Sequence, residues 1–526
     1  MSNGSVDSAL TGGRFELLTE GPLTAGGRGT VDFTYSPPGA LEPGRNLWLL
    51  FDIRQWAGPP QCDDPTAANY VQVSSAKRAE VVCTGFGART LELYPAIPEF
   101  LNVCEIMLPS GMAQDDTLTV TLGAGSGQWA FPRHPIDVFR FWLLEGYPGQ
   151  SFAATGYKTY RDFQPALDYE AATSEVLCVS LEVSGELPRL APENTRPTPG
   201  ILWGDIHGMA FNQRPLDDFY AYAREMSNYD FAAAMLFSYN TCLGDTWDQV
   251  KAAADRCSSP GEFVAIAGIE FGAPPDASHR NGYFIDHEGV PPIFFEERPP
   301  ALDPRIADRY HPDTIRCRDL DDFYATVHRF GGFVTGHFHT LNYDREVLAE
   351  VWQKQIGSKE EELRLFGLMN EGFRFGLVGG SDTHDSMPGN PEPEPQVIQP
   401  AGFMAVLANE VSREAIRDAV ANRRVYATSG ARIALGIDVS GHTMGSVVPT
   451  GTPRAFKVEA EGSAPLERVE LVRGGEGVDG EAPSGEHWEG TLRADPGDGS
   501  GPEWYVVRVT QTDGHRAWSS PVWFEG

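Results

Sequence analysis

Four short apolar runs in this chain each lead into a glycine, and ligand-type side chains follow it. Ile201-Leu202-Trp203 precedes Gly204-Asp205-Ile206-His207, and Phe263-Val264-Ala265-Ile266-Ala267 precedes Gly268-Ile269-Glu270. Phe333-Val334-Thr335 precedes Gly336-His337-Phe338-His339, and Phe373 to Val378 precedes Gly380-Ser381-Asp382-Thr383-His384. A short apolar run bounded by glycine reads as a buried strand. When strands run parallel, side chains at their carboxyl ends converge on one face, where active sites are built. Histidine, aspartate and glutamate meeting at one point form the donor set of a hard or borderline metal ion.

The length of 526 residues is more than one ordinary core can organise, so roughly two to four domains are expected. The chain is 41% hydrophobic and 22% charged, a soluble globular composition. No apolar stretch reaches the roughly 18 residues of a membrane-spanning helix, and Met1 to Leu10 lacks a secretion signal pattern. A cytoplasmic location follows as the expectation. The net charge of −32 disfavours nucleic acid and anionic membranes, which need a basic face. It would also repel an anionic substrate unless a metal and nearby arginines attract it locally. Seven cysteines at 62, 83, 104, 178, 242, 257 and 317 include no CxxC pair, which argues for reduced thiols over a disulfide framework or a zinc knuckle.

The texture changes twice along the chain. Residues 1–187 are β-rich, with runs such as Leu47 to Phe51 and Leu118 to Leu122 between Gly/Pro/Asp turns, and Val176 to Leu181 as the last strand. Residues 188–199 form a proline-rich linker. From 200 to 432, strand-like runs alternate with helical spacing at Leu216–Met226, Thr246–Arg256, Leu320–Phe330, Asp344–Gln353 and Ser412–Arg423, with Ser412 as an N-cap. Such alternation predicts βα units in a parallel sheet or barrel. Residues 433–526 return to β texture and read as a small sandwich. The segment from 388 to 400 reads as a rigid proline-rich loop at the rim of a pocket.

Eight of the 12 histidines lie between 207 and 384, which favours one site over scatter. Asp205-x-His207 and Asp382-x-His384 each place two ligand-type side chains on one side of an extended segment. Glu270 would be costly to bury unpaired; a metal or a buried ion pair removes that cost. His279 offers a further ligand, with Arg280 and Asn281 beside it as substrate groups or as ordinary loop residues. His337 and His339 are two apart, one serving as ligand and the other as a supporting or acid/base group. His287, His311 and His328 read as structural or solvated.

These motifs, in this order, resemble the PHP superfamily, named for polymerase and histidinol phosphatase. Residues 200 to 432 match its pattern through GDIHG, GIEF, HRNGYF, GHFHT and GGSDTH, and Arg423 to Ile433 (RRVYATSGARI) resembles a mark of one large branch. The resemblance implies a distorted (β/α)7 TIM-like barrel between N-terminal and C-terminal β-rich domains. It implies Zn, Mn or Fe held by Asp205, His207, Glu270, His279, His337, Asp382 and His384. Met209 stands where the family has a second histidine, and no Asp-His pair occurs in Met235 to Asn240, so one or two ions are expected in place of three.

The activity so implied is metal-dependent hydrolysis of a phosphoester in a small-molecule substrate. A metal-activated water would attack, Arg280 and Arg432 would stabilise developing charge, and His339 or His384 would protonate the leaving group. A second reading keeps the metal but places an ester, amide or lactone in the pocket, as hydrolase or lyase. A third is a non-catalytic binding protein. A homo-oligomer is compatible with the sequence.

Overall fold

The computed structural model describes residues 6–7, 13–52, 60–86, 101–132, 135–145, 176–186, 200–210, 216–242, 244–273, 278–295, 310–337, 345–354, 359–384, 386–390, 399–497, 499 and 501–526. The linker expected at 188–199 lies outside these residues, as does His339. Compact packing separates a unit formed by the chain up to Leu187 from one formed by most of the remainder.

Among its described residues the first unit has a five-stranded and a six-stranded sheet over a shared core, and a two-stranded ladder of Arg28–Gly29 with Trp129–Ala130. Alternation builds it. Val31–Ser36 buries every second residue, and Leu118–Leu122 does the same, the signature of strands with one face on a core. Phe33 of one sheet meets Phe141 of the other with ring centroids 4.8 Å apart. At the edge of this core, the Sγ atoms of Cys62 and Cys83 lie 2.8 Å apart and those of Cys83 and Cys104 3.1 Å apart.

The second unit is organised by one large mixed sheet. Its strands run in the spatial order Gly376–Gly379, Leu348–Trp352, Phe333–His337, Ser278–Phe284, Val264–Ala273, Phe231–Phe237, Ile201–Met209, Phe403–Leu407 and Val425–Thr428. The sheet then continues into Arg516–Ser519, Glu503–Gln511, Leu466–Arg473 and Glu476–Glu481. Four of the expected helices form, as Leu216–Glu225, Thr246–Cys257, Leu320–Arg329 and Arg413–Ala421. Ser412 caps the last by accepting the Ala415 N–H at 3.1 Å. No helix among the described residues is long and apolar enough to cross a membrane.

The (β/α)7 TIM-like barrel expected from the sequence is not what forms. Among the described residues, strand accounts for 45% and helix for 15%, too little helix for one after every strand. Ser278–Phe284 runs antiparallel to both its neighbours, and Phe403–Leu407 and Val425–Thr428 enter antiparallel and carry the sheet into the C-terminal strands. The helix expected over Asp344–Gln353 is also absent. Leu348–Trp352 is a buried strand parallel to Phe333–His337 and Gly376–Gly379. Glu346 and Glu350, four apart, mimic the solvated face of a helix; both are buried, and tertiary pairing overrides the local pattern.

Candidate metal centre

Strand direction explains which side chains meet. Ile201–Met209, Phe231–Phe237 and Val264–Ala273 are mutually parallel, as are Phe333–His337, Leu348–Trp352 and Gly376–Gly379. His207 and Glu270 stand near the carboxyl ends of their strands, His337 ends its own, and Asp382 follows Gly379 by three residues. The antiparallel Ser278–Phe284 brings its first residues to that same end, with His279 directly opposite His337. Ligand sites at the carboxyl ends of parallel strands are the general rule for open α/β sheets.

His207, Glu270 and His337 each offer a ligand atom, and these atoms lie within 4.8 Å of one another. All three side chains are buried. Asp382 Oδ1 is 3.4 Å from His207 Nε2, and Glu270 Oε2 is 4.0 Å from it. His337 Nε2 is 3.4 Å from Glu270 Oε1, to which His279 Nδ1 donates at 2.6 Å. The His207 and His337 rings are tilted against each other with centroids 4.5 Å apart. Buried His207 Nε2 and Glu270 Oε2 make no hydrogen bond, a costly arrangement without a further partner.

The ligands are held from behind. His207 Nδ1 donates to Glu350 Oε2 at 3.0 Å, which directs Nε2 toward the cluster, and Asn281 Nδ2 reaches the other oxygen of Glu350 at 3.5 Å. Gln353 Nε2 donates to Asp382 Oδ2 at 3.0 Å. Asp382 has φ of +50°, a left-handed backbone that costs energy for a side-chain-bearing residue and recurs at functional sites. Its segment lies close against the His207 strand. The Asp382 N–H donates to the His207 carbonyl at 2.6 Å, and a Cβ on Gly380 would stand 2.5 Å from His207 Cβ.

Electrostatics favour positive charge at the centre. Burial opposes a charged His207 imidazole, but Glu350, Asp382 and Glu270 outweigh it and hold its pKa well above the ordinary value. Burial likewise opposes ionised Glu270, yet His279, His207 and His337 keep it well below the usual carboxylate range. His337 is pushed down to about 4 by burial and by the neighbouring His207, so its ring is neutral at pH 7 and able to act as a ligand.

The expected site residues therefore divide. His207, Glu270 and His337 come together, with Asp382 and His279 in contact with them. Asp205 is buried and uses one carboxylate oxygen on backbone, while its Oδ2 makes no hydrogen bond. A β-bulge falls between Asp205 and Gly208, and Asp205 Oδ1 accepts the backbone N–H groups of His207 at 2.9 Å and Ser381 at 3.0 Å. It thus pins the two ligand-bearing segments to each other. Buried His384 turns Nδ1 onto the Asp382 carbonyl at 2.9 Å. Arg280, on the opposite face of its strand from His279, ion-pairs with Glu346 at 3.5 Å and donates to Tyr324 at 3.3 Å. Arg432 lies beside Trp203, Asn228 and Asp230, in a pocket that includes Gly200 and Glu262, at the amino ends of the strands. Glu350 and Gln353 were missed because a helix was read across them. Their one sequence signal is a glutamate inside the apolar run Leu348-Ala349-Glu350-Val351-Trp352.

A family model described as "Protein of unknown function (DUF3604)" matches residues 392–440. An "Uncharacterized protein" of Chlamydia muridarum (strain MoPn / Nigg) is 30% identical over 379 residues, covering 63% of this chain and 58% of the relative. One from Chlamydia pneumoniae is 23% identical over 370 residues, covering 62% and 58%. The chain thus spans 58% of the length of each of these two curated relatives. A solved structure described as "AvmM Catalyzes Macrocyclization in Alchivemycin A Biosynthesis" aligns with a TM-score of 0.18 and 12% identity, covering 36% of this chain and 94% of that one.

Proposed function

We propose that the second unit is a metal-dependent hydrolase acting on a phosphoester in a small molecule. The observation that carries this reading is the convergence of His207, Glu270 and His337, with buried His207 Nε2 and Glu270 Oε2 making no hydrogen bond. Nitrogen and carboxylate donors suit Zn, Mn or Fe. The order of the ligand motifs along the chain, which resembles the PHP superfamily, supports the same chemistry. A divalent ion held there would supply Lewis acidity and a water nucleophile near neutral pH.

The chain's own residues set the rest. His207, Glu270 and His337 would hold the ion, with Asp382 beside His207 as a fourth donor. Glu350 orients the His207 ring and keeps its proton on Nδ1. His279 donates to Glu270 and steadies that carboxylate. Gln353 and Asp205 fix the Asp382 segment against the His207 strand. The compact set supports one ion more directly than two, because His384 is engaged with a backbone carbonyl. Arg280 and Arg432 sit apart from the cluster, so charge stabilisation by arginine is not part of this reading.

Metal analysis of the purified protein, followed by assay on phosphate monoesters, diesters and carboxyl esters, tests it. Stoichiometric metal with phosphoesterase turnover that vanishes in His207→Ala supports the reading. Activity confined to carboxyl esters, amides or lactones transfers it to the non-phosphate alternative. A protein that retains no divalent ion and gains no thermal stability from Mn, Zn or Fe removes the enzyme altogether and leaves a binding protein.

A further inference from the structure

We propose that Cys62, Cys83 and Cys104 form a second metal site, a three-thiolate seat for a thiophilic d10 cation, Zn(II) or Cu(I). The proposal stands on the first unit alone and does not depend on the hydrolase reading. The three Sγ atoms all lie within 4.8 Å of one another. Cys104 is fully buried, whereas Cys62 and Cys83 are half-buried at the edge of the same core, so the cluster has a closed floor and an accessible rim.

Two alternatives explain such an arrangement less well. Chance packing of small apolar side chains does not require three polarisable sulfurs at mutual contact from segments 21 residues apart on either side of Cys83. A disulfide can use only two of them. Moreover, Cys83 faces Ile106 and Cys104 faces Gly85 across the Val82–Phe86 and Leu101–Leu108 strands, so these cysteines are diagonal neighbours. Diagonal Cα atoms are about 7–8 Å apart, at or beyond the roughly 7 Å that a disulfide tolerates. A metal ion has no such limit. With metal–sulfur bonds of about 2.3 Å, three sulfurs around one ion sit roughly 4 Å apart, so each thiol need only swing outward a little.

The chemistry selects a soft cation. Thiolates favour Zn and Cu(I) over Mg, Ca or Mn. No imidazole or carboxylate joins the three sulfurs among the described residues, so solvent at the rim completes the shell where a fourth ligand is needed. Loading is then an exchange: three S–H protons leave to solvent as three sulfur–metal bonds form, and nothing is oxidised or reduced.

The test uses the full chain, reduced and freed of metal, titrated anaerobically with Cd(II), Zn(II) and Cu(I) separately. Only sulfur donors give the ultraviolet thiolate-to-cadmium charge-transfer band, so the His/Glu cluster is silent in this readout. One equivalent should produce the band and protect three thiols from a thiol reagent. Cys83→Ser should abolish the band and weaken binding at least about 100-fold, more than the loss of a mere supporting partner. Cys62→Ser, at the rim, should do the same with an unchanged thermal unfolding curve, which separates loss of a ligand from loss of fold. Which of Zn(II) and Cu(I) survives chelator competition identifies the ion. Full thiol reactivity with each ion present, or a Cys62–Cys83 disulfide as the stable product of mild oxidation in protein that takes up no metal, would overturn the proposal.

Discussion

The two units each gather three donor side chains into a cluster of similar size, yet the clusters are assembled by different rules. His207, Glu270 and His337 come from strands sharing one direction, so their meeting follows from topology: whatever stands at the carboxyl end of a parallel strand meets its counterparts. Cys62, Cys83 and Cys104 come from antiparallel strands and a turn, and meet only because a diagonal pair and a loop residue share one core edge. The first cluster is fully buried, mixed in charge and suited to a borderline ion; the second is open at its rim, uniform and soft. A parallel sheet therefore announces its site through repeated strand-end motifs, whereas an antiparallel sandwich can hide one in plain spacing.

The sharpest way to break this contrast is to remove a donor from one cluster and ask whether the other responds. His207→Ala should cost more than about 100-fold in affinity for the divalent ion and eliminate turnover, while the thiols still yield the cadmium band. A joint loss would show one coupled system. Glu350→Gln comes next. It keeps an acceptor for His207 Nδ1 but drops the charge that raises the basicity of the ring, so metal affinity should fall about 10–100-fold with the fold intact. Isothermal titration with Mn(II) or Zn(II) reads both, and an unchanged affinity in Glu350→Gln would remove Glu350 from the site.

How much of this was legible in the sequence follows from the same contrast. The strand-end residues His207, Glu270, His337 and Asp382 stood out because glycine and an apolar run precede each. Glu350 did not, because its spacing from Glu346 imitates a solvated helix face, and only pairing between Phe333–His337 and Gly376–Gly379 makes that segment a strand. The barrel expectation failed for a related reason. Alternating textures reveal that strands and helices follow one another but not which way each strand runs, and Ser278–Phe284 runs antiparallel to Val264–Ala273. Asp205 carried a ligand's signature, and the structure shows one half of it engaged: after a register shift Oδ1 accepts backbone N–H groups, while buried Oδ2 makes no hydrogen bond. The cysteines, 21 residues apart, gave no motif at all.

Two smaller effects refine the view that topology, more than any one side chain, builds the first cluster. Gly380→Ala would place a methyl 2.5 Å from His207 Cβ and 3.6 Å from His207 Cα, atoms fixed by the strand backbone. Overpacking of that kind typically costs about 1–3 kcal/mol, and chemical denaturation should register it alongside weakened metal binding. If Gly380→Ala is as stable as the parent and binds metal normally, the close approach is not what positions His207.

Asp205 allows the finest distinction, between a ligand and an anchor. Asp205→Asn retains an Oδ1 that accepts the His207 and Ser381 N–H groups, whereas Asp205→Ala strands two buried donors. As an anchor, the alanine variant should lose about 1–3 kcal/mol of stability, the range for a buried hydrogen-bonding group left unsatisfied. The asparagine variant should stay close to the parent in both stability and metal affinity. As a ligand, the ranking changes: asparagine would bind the ion far more weakly than aspartate despite an intact fold. Measuring denaturation midpoints and metal affinity on both variants decides between these roles. The anchor result would mean that the opening Asp-x-His motif works by holding two strand ends together, with only its histidine reaching the ion.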